Sequence, residues 1–160
     1  MKKQTISFEL SIFESLEELN EQDHKLMLMA IDARKDAYAP YSKFMVGAAV
    51  LLENDQVVIG SNQENASYPS GLCAERVAVF QASAKYPGVT IKSIAITAMS
   101  KTHLVVKPAA PCGNCRQAIS EYEYKQKRPI ELLLMGEKGE IIKCHSLADI
   151  LPLGFNNSYL

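Results

Sequence analysis

No sign of charge prevails in this chain. Its 160 residues carry 17 Lys and Arg against 18 Asp and Glu, a net charge of −1. No basic patch stands out: the densest cationic run, Lys125 to Arg128, falls at the end of an expected helix, where it suits the dipole and solvent. Neither a polynucleotide nor an acidic membrane is therefore the expected partner. Long apolar runs are missing as well. The longest stretch free of Asp, Glu, Lys and Arg is residues 150 to 160, which holds Pro152 and Gly154 and is too short to span a bilayer. Glu9 and a polar alternation break any signal-peptide core behind Met1-Lys2-Lys3, so a cytoplasmic location is expected. Without a secretory signal, the sequon Asn65-Ala66-Ser67 is a chance match. Internal repeats, linkers and low-complexity segments are absent. At this length, with 48% apolar residues, the chain is expected to form one domain, residues 1 to 160, with a real core.

Cysteine is scarce, and the few present are informative. There are four. In a reducing compartment a cysteine cluster reads as metal-binding or catalytic before it reads as disulfides. Three of them lie in two short segments, Cys73-Ala74-Glu75-Arg76 and Pro111-Cys112-Gly113-Asn114-Cys115. Cys112 and Cys115 are three apart, which on a helix N-terminus puts both sulfurs on one face. The helix dipole and free N–H groups there favour thiolates. Three thiolates would hold one Zn²⁺ and leave a fourth position open for water, as in a catalytic rather than a structural site. Glu75 is not needed as a ligand and is free to act as general base and acid beside that water. Three thiolates on Zn²⁺ leave a formal charge of −1, so Arg76, with Arg116 as a second candidate, is expected to hydrogen-bond a ligand sulfur and draw charge off it. A structural zinc knuckle would want a fourth protein ligand. Cys144 sits in an expected strand and reads as a small buried hydrophobe; His24, His103 and His145 are lone histidines without ligand spacing. A redox Cys-x-x-Cys would leave Cys73 and Glu75 without a role.

The pattern of elements is mixed α/β. Alternation at Ile6, Phe8, Leu10 and Ile12 predicts an N-terminal strand over residues 4 to 12. Ser15-Leu16-Glu17-Glu18 predicts a capping box opening a helix that stops before Pro40. Strands are predicted over 45–53, 56–61 and 92–99, and a hairpin over 130–136 and 140–144 around Lys138-Gly139. Helices are predicted from Cys73 to Lys85 and from Gly113 to Lys127, and a helical turn at 147–151.

Five ordered motifs carry a resemblance. They are Tyr41-Ser42-Lys43-Phe44 with Val46-Gly47-Ala48-Ala49, then Gly60 to Pro69 with Asn62-Gln63-Glu64, then Cys73-Ala74-Glu75-Arg76, then Pro111 to Gln117, and Leu151-Pro152 leading to Phe155. From about Tyr38 to Phe155 the chain resembles the cytidine deaminases of the short, homotetrameric, three-cysteine type, whose zinc pattern is Cys-x-Glu followed by Pro-Cys-x-x-Cys. The resemblance implies a three-layer α/β/α sandwich around a mixed five-stranded sheet. It implies hydrolytic deamination of cytidine or deoxycytidine, with one Zn²⁺ per chain. It also implies roles: Phe44 against the pyrimidine ring, Asn62 and Glu64 on the ribose 3′-hydroxyl region, the Ala74 backbone at the base edge, and Phe155 and the Tyr68 backbone reaching a neighbouring subunit's site. A blasticidin-S-type aminohydrolase shares the zinc chemistry, but Asn62-x-Glu64 suits a nucleoside ribose. An inactive zinc-stabilised binding module would be expected to have a closed metal site or to lack Glu75. Residues 1 to about 20 extend beyond the usual short form, with an extra edge strand as one expectation. Residues 101–110 differ from the short polar stretch expected there and should lie near the site rim or a subunit contact.

Overall fold

A computed structural model describes residues 1–160. Its six strands are β1 (Leu10–Phe13), β2 (Phe44–Leu52), β3 (Val57–Ser61), β4 (Ile91–Ser100), β5 (Glu131–Met135) and β6 (Ile141–Cys144). They form one mixed sheet in the order β1-β6-β5-β4-β2-β3. Every neighbouring pair is antiparallel except β4 with β5, which are parallel. A parallel pair needs a crossover connection, and α3 (Gly113–Gln126) lies in that connection. The other helices are α1 (Glu21–Ala33) and α2 (Ala74–Lys85).

Strand β2 reads Phe-Met-Val-Gly-Ala-Ala-Val-Leu-Leu without a charge, and it is buried along most of its length. Both its faces pack. Ala48, Val50 and Leu52 join Ile94, Ile96, Leu132 and Leu134 in a cluster with Ala78, Val79 and Ala82 of α2 and Ile119 of α3. Ala49 and Leu51 join Ala95 and Leu133 in a second cluster with Leu26, Met27 and Ala30 of α1. Cys144 is buried in the first cluster, as expected of a small hydrophobe.

Three expectations need correction. The sheet has six strands, not five, because β1 from the N-terminal extension pairs with β6 from Leu10↔Cys144 to Phe13↔Ile141. The strand predicted over residues 4 to 12 is reduced to Leu10–Phe13, since β6 offers only Ile141–Cys144 as a partner. The capping box at Ser15 is not formed: Leu16–Glu18 makes one 3₁₀ turn without a side-chain cap, and Leu19 is extended. Asn20 caps α1 instead. Its Oδ1 accepts from Asp23 N at 2.9 Å, while its Nδ2 donates to Asp23 Oδ2 at 2.8 Å.

Gly60 sets how closely α2 approaches the sheet. A Cβ there would lie 2.6 Å from Ala78 N and 2.7 Å from Ala74 O, both backbone atoms of α2. Gly60→Ala is expected to lower stability by about 1–3 kcal/mol, the usual cost of overpacking. It should read as a lower urea midpoint at unchanged slope.

Candidate active site

The first turns of α2 and α3 bring the predicted ligands together. Cys73 is the N-cap of α2 and Cys112 the N-cap of α3, with Cys115 inside the first turn of α3. Their sulfurs lie within 4.8 Å of one another. Cys73 Sγ is 4.0 Å from Cys112 Sγ, which is 3.6 Å from Cys115 Sγ. A Zn–S bond of about 2.3 Å places sulfurs at tetrahedral corners about 3.8 Å apart. The three thiols therefore fit zinc in both donor type and spacing. No histidine joins them: His145 Nε2 lies 3.2 Å from Ser11 Oγ and His103 Nδ1 3.1 Å from Thr102 Oγ1.

The thiols are not equivalent. A hydrogen bond from Cys115, with help from Arg76 and Cys112, pulls the Cys73 thiol down to about 5 against the effect of burial. Cys115 is pushed up, by its bond to Cys73 first and then by burial. The metal-free cluster thus holds its charge on Cys73. Burial lowers the Arg76 guanidinium, but the hydrogen-bonding and charge effects of Cys73 outweigh it and leave the group raised. The Arg76 Nε is buried and has no hydrogen-bond partner. Arg116 departs from expectation. Its Nε donates to Pro111 O at 2.8 Å and its Nη1 to Ile150 O at 2.7 Å. Two of its N–H groups thus tie the approach to α3 to the 147–150 turn.

Glu75, 4% exposed, stands beside this cluster. Burial raises its carboxyl above the ordinary value, its own backbone N–H at the start of α2 partly offsets this, and the Cys73 charge adds to the rise. A cavity of about 600 Å³ opens onto Cys73, Glu75, Arg76 and Cys112, with Phe44, Asn62, Glu64 and Tyr68 among its other lining residues. Ala74 is fully buried behind it. Phe155 lies outside this cavity, half exposed, stacked on Tyr159 with ring centroids 5.5 Å apart.

The polar wall is organised by β2. Asn62 Oδ1 accepts from Val46 N at 2.8 Å and its Nδ2 donates to Phe44 O at 3.0 Å, so its amide pairs with the strand backbone like a peptide group. The Glu64 carboxylate accepts from Tyr41 N at 2.8 Å, from Ser42 N at 3.2 Å and from Ser42 Oγ. Those bonds, with the nearby Lys43, hold it below the usual carboxylate range despite the opposing effect of desolvation. They also fix a turn in which Lys43 has φ 59°, which few non-glycine residues adopt. Ser42 Oγ in turn accepts from Phe44 N at 3.0 Å. Sequence reasoning gave Ser42 no separate role, although a serine two residues before Phe44 is a recognisable turn signal. Ile96, Ala109 and Ala110 complete the wall, so the 101–110 segment does reach the rim.

A three-sulfur centre at two helix N-termini, with a buried carboxylate beside it, is the arrangement of the zinc deaminases. The family described as the cytidine and deoxycytidylate deaminase zinc-binding region matches residues 20–128, and the chain belongs to it. It is 45% identical over 130 residues to a cytidine deaminase of Halalkalibacterium halodurans, covering 81% of this chain and 91% of that protein. It is 39% identical to one from Sporosarcina psychrophila, covering 85% and 93%. The crystal structure of cytidine deaminase from Burkholderia pseudomallei superposes with a TM-score of 0.72 at 40% identity, over 82% of this chain and 98% of that one.

The thiol asymmetry predicts a labelling pattern. In metal-free protein, Cys73 is already ionised near neutrality, so its alkylation by iodoacetamide should change little between about pH 6 and 8. Cys115 should stay unlabelled, and added zinc should protect the cluster. Peptide mass analysis of the alkylated protein checks all three outcomes.

Proposed function

We propose that this protein catalyses the zinc-dependent hydrolytic deamination of cytidine and deoxycytidine to uridine and deoxyuridine, with release of ammonia, in pyrimidine salvage. The observation that carries this is the buried Glu75 beside three sulfurs at zinc spacing, on a cavity walled by Phe44, Asn62 and Glu64. Residues 1–160 act as one deaminase domain. A three-layer α/β/α arrangement is supported by the alternation of β2 between the two core clusters.

Cys73, Cys112 and Cys115 would hold one zinc ion per chain. Bound there, zinc supplies a Lewis acid that makes a water molecule nucleophilic near neutral pH. Glu75 takes a proton from the incoming water as it adds to C4 of the base. It passes that proton to the ring nitrogen, then carries the remaining proton of the added hydroxyl to the amino group, so that the C4–N bond breaks, ammonia leaves and the C4 carbonyl forms. Its raised affinity for a proton suits a group that must both accept and return one. Phe44 packs on the pyrimidine ring and the Ala74 backbone meets the base edge. Asn62 and Glu64 present their remaining hydrogen-bonding capacity to the ribose, so an analogue lacking the hydroxyl would leave polar groups of the wall unpaired. Arg76 offsets the charge of the thiolates, which keeps the centre electrophilic.

Phe155 and Tyr68 lie exposed, and a homotetramer in which they reach a neighbour's site would give both a function. Gel filtration with light scattering should show four chains; a stable, active monomer would overturn that assembly. No helix is long and apolar enough to cross a membrane, and cytoplasmic salvage of nucleosides fits that observation.

Ultraviolet absorbance of cytidine with a coupled ammonia assay tests the reaction. Glu75→Gln should keep stoichiometric zinc and lose about 10²–10⁴-fold in turnover, the range for general acid–base help. A variant with near-normal rate would exclude the role. The same substitution should stabilise the metal-free protein at neutral pH. The folded pKa of Glu75 is raised, so stability falls as pH climbs through it and the carboxylate ionises in a buried place. A neutral Gln does not ionise, and its melting temperature should exceed that of the parent.

A further inference from the structure

Arg34, the residue after α1, is 8% exposed. Its Nη1 donates to Thr97 Oγ1 at 2.7 Å and to Gly136 O at 3.3 Å. Thr97 Oγ1 donates to the same carbonyl at 2.6 Å. That carbonyl is one end of the peptide group joining Gly136 to Glu137. The other end, Glu137 N, donates to Val105 O at 2.6 Å. One peptide unit is therefore gripped from both sides, by Arg34 and Thr97 on its oxygen and by residue 105 on its N–H. Hydrogen bonds linked through one peptide polarise and strengthen each other.

The segment held in this way is 101–110. It lies so close to the end of β5 that a Cβ on Gly136 would sit 2.5 Å from Val105 O and 2.9 Å from Lys107 O. Ala109 N donates to Met135 O at 3.4 Å a little further along. Ala109 and Ala110 then enter the cavity wall, and Pro111-Cys112 follows directly. Thr97 sits next to Ile96, which lines the same cavity. A guanidinium is costly to bury, and an apolar side chain could occupy this space more cheaply. What Arg34 supplies instead is a fixed donor aimed at one carbonyl.

We propose that Arg34 is a positioning residue for substrate binding: through Thr97 and the Gly136–Glu137 peptide it fixes the 105–109 strap, and so the rim formed by Ala109 and Ala110. This rests on the cavity being the nucleoside site. Arg34 touches neither the sulfurs nor Glu75, so its loss acts on ground-state fit and leaves the chemical step alone.

The test compares zinc-loaded parent, Arg34→Met, Arg34→Lys and Thr97→Val by steady-state kinetics on cytidine and by amide hydrogen exchange. Arg34→Met should raise KM about threefold to tenfold, the reach of one lost hydrogen bond, with kcat within about twofold of the parent. Zinc content should hold, exchange should quicken in 101–110 and not in α2, and Arg34→Lys should recover most of the KM. Should Arg34→Met not fold, Thr97→Val removes the intermediate hydroxyl at nearly constant shape and is read in the same way. Unchanged KM, with or without faster exchange in the strap, overturns the proposal. Exchange quickened throughout the sheet with zinc and kcat lost together also overturns it, marking Arg34 as ordinary core. A parent inert to cytidine would refute the functional reading instead, and the exchange data would still decide whether Arg34 holds the strap.

Discussion

Everything at the site depends on two helix N-termini being brought to one point and left uncapped by their own residues. Helices usually begin with Ser, Thr, Asp or Asn, whose side chain accepts an orphan N–H. Helix α1, which carries none of the clustered cysteines, follows that rule with Asn20. Helices α2 and α3 begin with Cys73 and Cys112, and neither makes a side-chain cap bond. The capping energy forgone there, typically about 1 kcal/mol per helix, is exchanged for two sulfurs in the positive field of two helix ends. Gly60 makes this possible on the α2 side, because no other side chain would let Ala74 and Ala78 lie so close to β3.

That convergence creates a charge problem which the neighbouring residues address. Three thiols and the carboxyl of Glu75 share a small volume in which Cys115 and Glu75 are buried, and they cannot all ionise cheaply without a cation. In the metal-free cluster the conflict shows as one thiol pulled down, one pushed up, and Glu75 held toward its protonated form. Arg76 is the permanent cation on the spot, and its ionic contact with Cys73 relieves part of the strain. A divalent metal relieves more, so metal binding and folding of this end of the molecule must be thermodynamically linked. The same logic covers Glu75, whose burial raises its carboxyl above the ordinary value and favours the protonated form beside the Cys73 charge.

The parts of this arrangement that were legible in the sequence are those with local signals. Cys-x-Glu and Pro-Cys-x-x-Cys place their residues at helix starts by spacing alone, and the apolar run of β2 announces a buried strand. What escaped depends on partners distant in the chain. Ser15 has the form of a capping box, yet Asn20 wins because the chain is extended again at Leu19. Arg116 follows Cys115, but its Nη1 donates to the carbonyl of Ile150, 34 residues on. By resemblance alone Asn62 and Glu64 serve a ligand. In the structure they first serve β2 and the Lys43 turn, and this rigid pairing is what would hold them in place for a ligand. No local pattern could reveal that Gly136 is where 101–110 crosses β5.

The N-terminal extension belongs to that second class and shows where its influence ends. Strand β1 lies at the edge of the sheet beyond β6, while the cavity lies among β2, β4 and the first turns of α2 and α3. Opposite Ser11 in the register is Lys143, whose Nζ binds Asp23 and Glu131, each at 2.9 Å. Burial works against that ammonium, and the two carboxylates overcome it and hold its pKa up. Lys143 and Asp23 are both largely buried, so either one lost alone would leave the other unpaired at a cost well beyond that of a surface pair. Without β1, the short strand β6 would be the open edge, and Lys143 would stand in it with solvent competing for its partners. The extension thus stabilises the far side of the sheet and the start of α1. Arg34 stands at the other end of that helix.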